Sequence, residues 1–388
     1  MTTPELLEQV EEQRNEIVAL ARDFAQSELA PHAAEWDGDK HSPPEVMRQL
    51  AELGFFGLLI PEEYGGLGLD TLTYLMIIEE MAAADASTAI TLSIHNSLPA
   101  SMLLAHGSEE QKERWLRPMA EGDVMAAFSL SEADSGSDSA AMRAEASWSG
   151  TEWVLNGMKA WVTNGDRADL VVMMVRSDTP GDRKGAHGIS AFLVPGNVTG
   201  MTPGEPEDKM GLRASPTVTL TLEDVRLGSE HLLGEEGEGF IYALEALDQG
   251  RLGVAAQAIG IAQAALEHSI KYSAERKQFG EPIMNFQAMQ FKLADMATRV
   301  AAARALLHET ARLKDRGEAL GQRSSMAKLF ASETAMWVTT QAVQVFGGYG
   351  YMRDYPVERL FREAKVTEIY EGTSEIQRIV IGRGLHDN

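Results

Sequence analysis

The chain has 388 residues, 44% hydrophobic and 24% charged, a globular mixture too long for one hydrophobic core, so two or three subdomains are expected. Lys+Arg is 34 and Asp+Glu is 58, a formal charge of −24 that opposes nucleic acid and anionic membrane as general partners. With no cysteine, disulfides, thiolate nucleophiles and Cys-ligated metal centres are excluded together.

The first residues, "MTTPELLEQVEEQRNE", are acidic and lack an apolar core, unlike a signal or transit peptide, so a cytoplasmic location is expected. "GFFGLLI" at Gly54–Ile60 is too short to span a bilayer. Residues 1–125 read as a helical domain. Val10, Ile17, Leu20 and Phe24 recur near helical spacing, and Pro31 ends that run. "IPEEYGGLGLD" reads as a loop. The stretch from Thr71 to Leu98 is apolar on more than one face, which predicts a deeply buried helix.

Residues 126–233 change period. "EWVLNGMKAWVT" holds two β-rich runs around Asn156-Gly157, which predicts a hairpin. "DLVVMMVRS", "ISAFLVP" and "TVTLTL" follow as strands, and five strands here predict a small antiparallel barrel or sandwich. Residues 234–388 return to helical period. One long Ala-rich stretch runs towards Gly280 and Pro282. The next places Met289, Leu293, Met296, Val300, Ala303 and Leu307 in a bundle stripe, and a third begins after Gly321. A four-helix bundle is expected. "GEEGEGF" at Gly234–Phe240 has the wrong glycine order for a dinucleotide fingerprint.

Six stretches could carry chemistry, and each has a plain structural reading beside the functional one. "FSLSEADSGSD" (Phe128–Asp138) offers hydroxyls and backbone N–H groups, but also has the composition of a linker. "KAWVTNG" puts Trp161 and Thr163 on one side of a strand, where an indole and a hydroxyl suit a flat ring, or a half-buried sheet. "LDQGR" places Asp248 and Arg251 on one helix face, as many surface ion pairs do, with a costly Gly250 between them. "AERKQFG" offers Arg276 as a phosphate clamp or as charge at a helix C-terminus. "QAVQVFGGYGY" runs amide side chains into a Gly-Gly turn that also reads as a helix stop. "IYEGTSEIQR" sets Glu371 between an apolar pair and a glycine, a setting that suits a base in a pocket better than a solvated charge.

Together, in order, these stretches resemble the acyl-CoA dehydrogenases over nearly the whole chain. "EEYGGLGLD", "FSLSEADSGSD", "WVLNGMKAWVTNG", "DKMGLRASPT", "LDQGRLG", "ERKQFG", "PVERLFREAK" and "EIYEGTSEIQR" carry the resemblance, which is strongest to the short-chain (butyryl-CoA) branch. The resemblance implies an N-terminal helical domain, a central β domain and a C-terminal four-helix bundle. It also implies FAD as cofactor, an electron-transferring flavoprotein as oxidant, and a homotetramer built from dimers. The implied reaction converts an acyl-CoA to a trans-2-enoyl-CoA, with Glu371 taking the α-proton and flavin N5 the β-hydride.

By motif, Phe128, Leu130 and Ser131 fall on the pyrimidine side of the flavin, and Trp161 and Thr163 beside its ring. Ser137, Asp248 and Arg251 fall near CoA. Arg276, Phe279, Gln287, Gln344 and Gly348 match positions that hold the FAD pyrophosphate and adenosine, commonly across subunits. Gly372, Thr373 and Glu375 follow the base and touch thioester and cofactor. Some relatives carry the base where Gly250 stands, and glycine cannot serve, which leaves Glu371. The loop Glu132-Ala133-Asp134-Ser135-Gly136-Ser137-Asp138 lacks the family's usual proline and early glycine, and Met158 replaces a small polar residue. Two rival readings are a related flavoenzyme acting on a branched or modified acyl-CoA and a non-catalytic acyl-CoA-binding helical protein.

Overall fold

The computed structural model describes residues 3–177 and 185–385. The N-terminal region is helical: α1 (Thr3–Phe24), α2 (Ala33–Asp39), α3 (Pro44–Glu52), α4 (Thr71–Ala84), α5 (Ala86–Ser97), α6 (Pro99–His106) and α7 (Glu109–Glu121). The buried stretch expected as one helix is two, α4 and α5. Asp85 separates them because its carboxylate accepts the N–H of Thr88 at 2.8 Å and so starts a new helix.

The middle region holds β1 (Ala126–Ser129), β2 (Glu145–Trp148), β3 (Trp153–Thr163), β4 (Leu170–Arg176), β5 (Ile189–Pro195), β6 (Met201–Pro203), β7 (Thr217–Leu227) and β8 (Leu232–Leu233). They form one sheet in the order β6-β7-β3-β2-β4-β5-β8, with β1 paired to β4. Most pairs are antiparallel, while β1–β4 and β2–β4 are parallel. The hairpin expected at Asn156-Gly157 does not form. Those residues lie inside the single strand β3, where the register against β7 slips between Leu155 and Gly157. Gly157 takes φ +135°, and a Cβ there would stand 2.6 Å from the Cα of Ala144, so the glycine serves a bulge under close backbone approach.

Residues of β4 divide alternately between two cores. Val171, Met173 and Val175 face a core internal to the β domain, and Leu170, Val172 and Met174 face the helices. One shared core thus joins the N-terminal helices, one sheet face and the C-terminal helices. Those last are α8 (Gly239–Glu275), α9 (Gln287–Asp315), α10 (Arg323–Phe346), α11 (Pro356–Val366) and α12 (Ser374–Gly384), with a small ribbon of β9 (Lys277–Gln278) and β10 (Glu281–Pro282) after α8. Helix α8 packs on α4, α5, α9, α10 and α11. Among the described residues, no helix is long and apolar enough to cross a membrane.

Candidate active site

Glu371 lies in the short connection between α11 and α12. Its backbone is left-handed, φ +53°, an unusual state for a residue with a Cβ, and Gly372 follows at φ +93°. The residue is half-buried, yet both carboxylate oxygens are shielded from solvent and, among the described residues, have no hydrogen-bond partner. Burial pushes the carboxyl up to about 7, against the opposing charges of Lys328 and Arg251.

Helix α8 forms the wall opposite. A Cβ at Gly250 would lie 2.2 Å from Glu371 Oε2 and 2.9 Å from Leu98 Cδ2, so the carboxylate occupies the space beside that glycine. A side chain at position 250 and the Glu371 carboxylate would therefore compete for the same space. One turn along α8, a Cβ at Gly253 would meet Ser93 Oγ at 2.2 Å and the Tyr74 hydroxyl at 3.1 Å. Two turns along, Gln257 is fully buried and accepts a hydrogen bond from the Tyr370 hydroxyl. Asp248 and Arg251 form an ion pair at 2.5 Å, with Arg251 buried and the Asp248 side chain 47% exposed. Ser324 donates to the same Asp248 oxygen at 3.2 Å.

The first two sequence stretches meet in the β domain. Ala160 donates its N–H to the carbonyl of Ser131 at 2.9 Å, which ties the serine loop to the strand bearing Trp161 and Thr163. A register irregularity between Lys159 and Val162 coincides with φ +57° at Trp161, and the indole is 56% exposed. Thr163 ends β3 half-buried, Phe128 lies in β1, and Leu130 follows it, buried. The loop that lacks its usual proline is held by a carboxylate instead. Glu132 accepts from the N–H groups of Arg143 (2.7 Å) and Ala144 (2.9 Å) and from the buried Lys159 ammonium (2.9 Å). Ser137 is exposed in this loop. Met158 is also exposed, and nothing in the structure explains that choice.

The third group lies apart. Arg276 stacks over the Tyr349 ring beside Gly348, and Phe279 meets Phe286 beside Gln287. Gln344 and Gly348 are exposed, as is Phe279, at 96%. Arg276 follows Gly250 by 26 positions on or just past α8, about 39 Å along the axis, so one chain does not gather this group and Glu371 into one site. Thr373 caps α12 by accepting the N–H of Ile376, and Glu375 is exposed in the first turn. Sequence reasoning missed Lys328, Gln257 and Gln377. The signal for Lys328 was a lysine on the small-residue face of α10, beside Ser324, Ala327 and Ala331, all buried.

Three family models match in succession: the acyl-CoA dehydrogenase N-terminal domain over residues 11–123, the middle domain over 127–225 and the C-terminal domain over 237–386. The chain is 47% identical over 364 residues to the mitochondrial short-chain specific acyl-CoA dehydrogenase of Mus musculus, covering 94% of this chain and 88% of that one. The structure of butyryl-CoA dehydrogenase from Megasphaera elsdenii matches with TM-score 0.94 and 44% identity, over 96% of this chain and 98% of that one. A chain from the structural work on the electron-transferring flavoprotein of Acidaminococcus fermentans matches with TM-score 0.95 and 47% identity, over 97% and 98% of the two chains. The sheet between two helical regions, the glutamate turn against α8 and these matches lead to one conclusion: the chain belongs to the acyl-CoA dehydrogenase family of FAD-dependent oxidoreductases.

Proposed function

We propose that this enzyme desaturates a short acyl-CoA to the trans-2-enoyl-CoA, with Glu371 as the base. The observation that carries this reading is a desolvated carboxylate with no hydrogen-bond partner among the described residues, set against a glycine on α8. Burial makes the carboxylate basic enough to compete for a weakly acidic α-proton near neutral pH. Among the described residues, the N–H of Glu371 makes no hydrogen bond within the chain, and it is the donor assigned to the thioester oxygen. Asp248, Arg251, Ser137 and Gly372 are assigned to the CoA and thioester.

FAD fits the residues present. An exposed indole held outward by a left-handed backbone at Trp161 calls for a flat partner to cover it. Phe128, Leu130 and Ser131 would hold the pyrimidine side, and Trp161 and Thr163 the ring. Bound there, FAD supplies the hydride acceptor that no side chain can provide. Arg276, Phe279, Gln287, Gln344 and Gly348 would serve the cofactor of a second copy, with Thr373 and Glu375 at the first copy's own site. A homotetramer would also cover the rings of Phe279, Phe291 and Tyr351, which are 96%, 60% and 86% exposed.

The short-chain assignment is supported by the likeness to the mitochondrial short-chain specific acyl-CoA dehydrogenase of Mus musculus and to butyryl-CoA dehydrogenase from Megasphaera elsdenii. The electrons would pass to an electron-transferring flavoprotein, a reading supported by the Acidaminococcus fermentans neighbour. Anaerobic flavin bleaching across acyl-CoAs of rising length and branching tests the whole reading. Butyryl-CoA should bleach a yellow holoenzyme fastest. A protein that cannot be reconstituted with FAD, or one bleached fastest by long or branched chains, would sink it.

A further inference from the structure

The Glu371–Gly372 turn is gripped from two sides. The Lys328 ammonium, on α10, donates to the carbonyl of Gly372 at 2.7 Å. The Gln377 amide, on α12, donates to the same carbonyl at 2.9 Å and to the carbonyl of Glu371 at 3.2 Å. Both side chains belong to fully buried residues. Burying an ammonium is costly unless it is paired. Among the described residues Lys328 forms no ion pair, so its charge is spent on a backbone carbonyl next to a carboxylate that also has no partner.

We propose that Lys328 and Gln377 are positioning residues that hold the Glu371–Gly372 turn in its left-handed form, and that the Lys328 charge sets the pH range in which Glu371 accepts a proton. This rests on Glu371 being the base. Glu371 feels Lys328 from α10 and Arg251 from α8, and it acts on the phenols of Tyr74 on α4 and of its neighbour Tyr370. Arg251 is paired with Asp248, which leaves Lys328 as the unpaired cation. Lys328 in turn feels Glu371, Arg251, Glu368 and Glu375, and burial draws its ammonium down to about 8. Gln377 carries no charge, so the two residues separate geometry from electrostatics.

The test is single-turnover flavin reduction of the holoenzyme against pH, paired with infrared titration of the Glu371 carboxyl without substrate, read as the difference from Glu371→Gln. Lys328→Met should move the rising limb of the rate, and the infrared titration with it, upward by about one pH unit or more. Lys328→Arg should bring both back. Gln377→Leu should leave the limb in place and lower the plateau rate by about 10-fold or more. If Lys328→Met does not fold, Lys328→Gln keeps a donor near the carbonyl and carries the charge test alone. Unchanged limb and infrared titration in the uncharged variants would overturn the electrostatic role, and a wild-type plateau in Gln377→Leu would overturn the clamp. Wild-type reduction by Glu371→Gln would instead overturn the base assignment, while the infrared titration still reports whether Lys328 acts on Glu371.

Discussion

Glu363 and Glu371 stand eight residues apart, and burial pushes both carboxyls up to about 7. Their surroundings differ. Glu363 is enclosed on α11, where Arg359 one turn away donates to it at 3.3 Å and lies 3.8 Å from Asp85. Glu371 sits on a left-handed turn outside any helix, and among the described residues neither of its oxygens has a hydrogen-bond partner. Raised basicity is therefore not what singles out Glu371 as the proposed base. What singles it out is a carboxylate left open to a proton from outside the chain, on a backbone under strain and against a wall with no Cβ.

The largest test of this contrast is a pair of amides. Glu371→Gln should keep FAD and lose at least ~100-fold in flavin reduction, the low end for a general base. Glu363→Gln should stay within a few-fold of wild type in the same assay, and an equal loss there would erase the distinction. Gly250→Ala comes next. Its Cβ would fall 2.2 Å from Glu371 Oε2, so the carboxylate must move by about 1 Å, at a cost of up to ~100-fold in rate. Full activity in that variant would show that the carboxylate works from another position. Glu363→Gln should pay in stability instead. It weakens the pairing of the buried Arg359, which costs about 3 kcal/mol, the low end for a broken buried pair, as read by urea unfolding.

The order of helices, strands and helices was legible from period alone, because burial on one face stamps a period on the chain. Glu371 was legible from its immediate neighbours. What stayed hidden depends on partners far along the sequence. Asn156-Gly157 looks the same whether it turns a hairpin or seats a bulge, since both use a glycine at positive φ. Ala144 and β7 decide between them. Lys328 acts on a carbonyl 44 residues away, and a carbonyl leaves no signature in the sequence. The Gln257–Tyr370 link spans 113 residues, and the Glu132 carboxylate that replaces a proline's rigidity reaches Lys159 across 27.

The smallest expected effect is one of stability and pH at the base itself. An unfolded glutamate titrates at its ordinary value of 4.5, and Glu371 in the fold titrates at about 7. Between those values the folded state holds the extra proton, so stability is lost as pH rises through that window and the loss is complete above it. The full difference corresponds to about 3 kcal/mol, with less expected because the residue is only half-buried. Glu371→Gln carries no charge to desolvate. It should therefore unfold at higher urea than wild type at pH 8, by about 1–3 kcal/mol, with the gap closing towards pH 5. Glu363 is pushed up to the same value and carries the same linkage, but Glu363→Gln also removes a charged partner of the buried Arg359, so it should show no net gain. A wild-type enzyme as stable as Glu371→Gln at pH 8 would mean that the turn does not hold a costly charge, and the contrast between the two glutamates would rest on geometry alone.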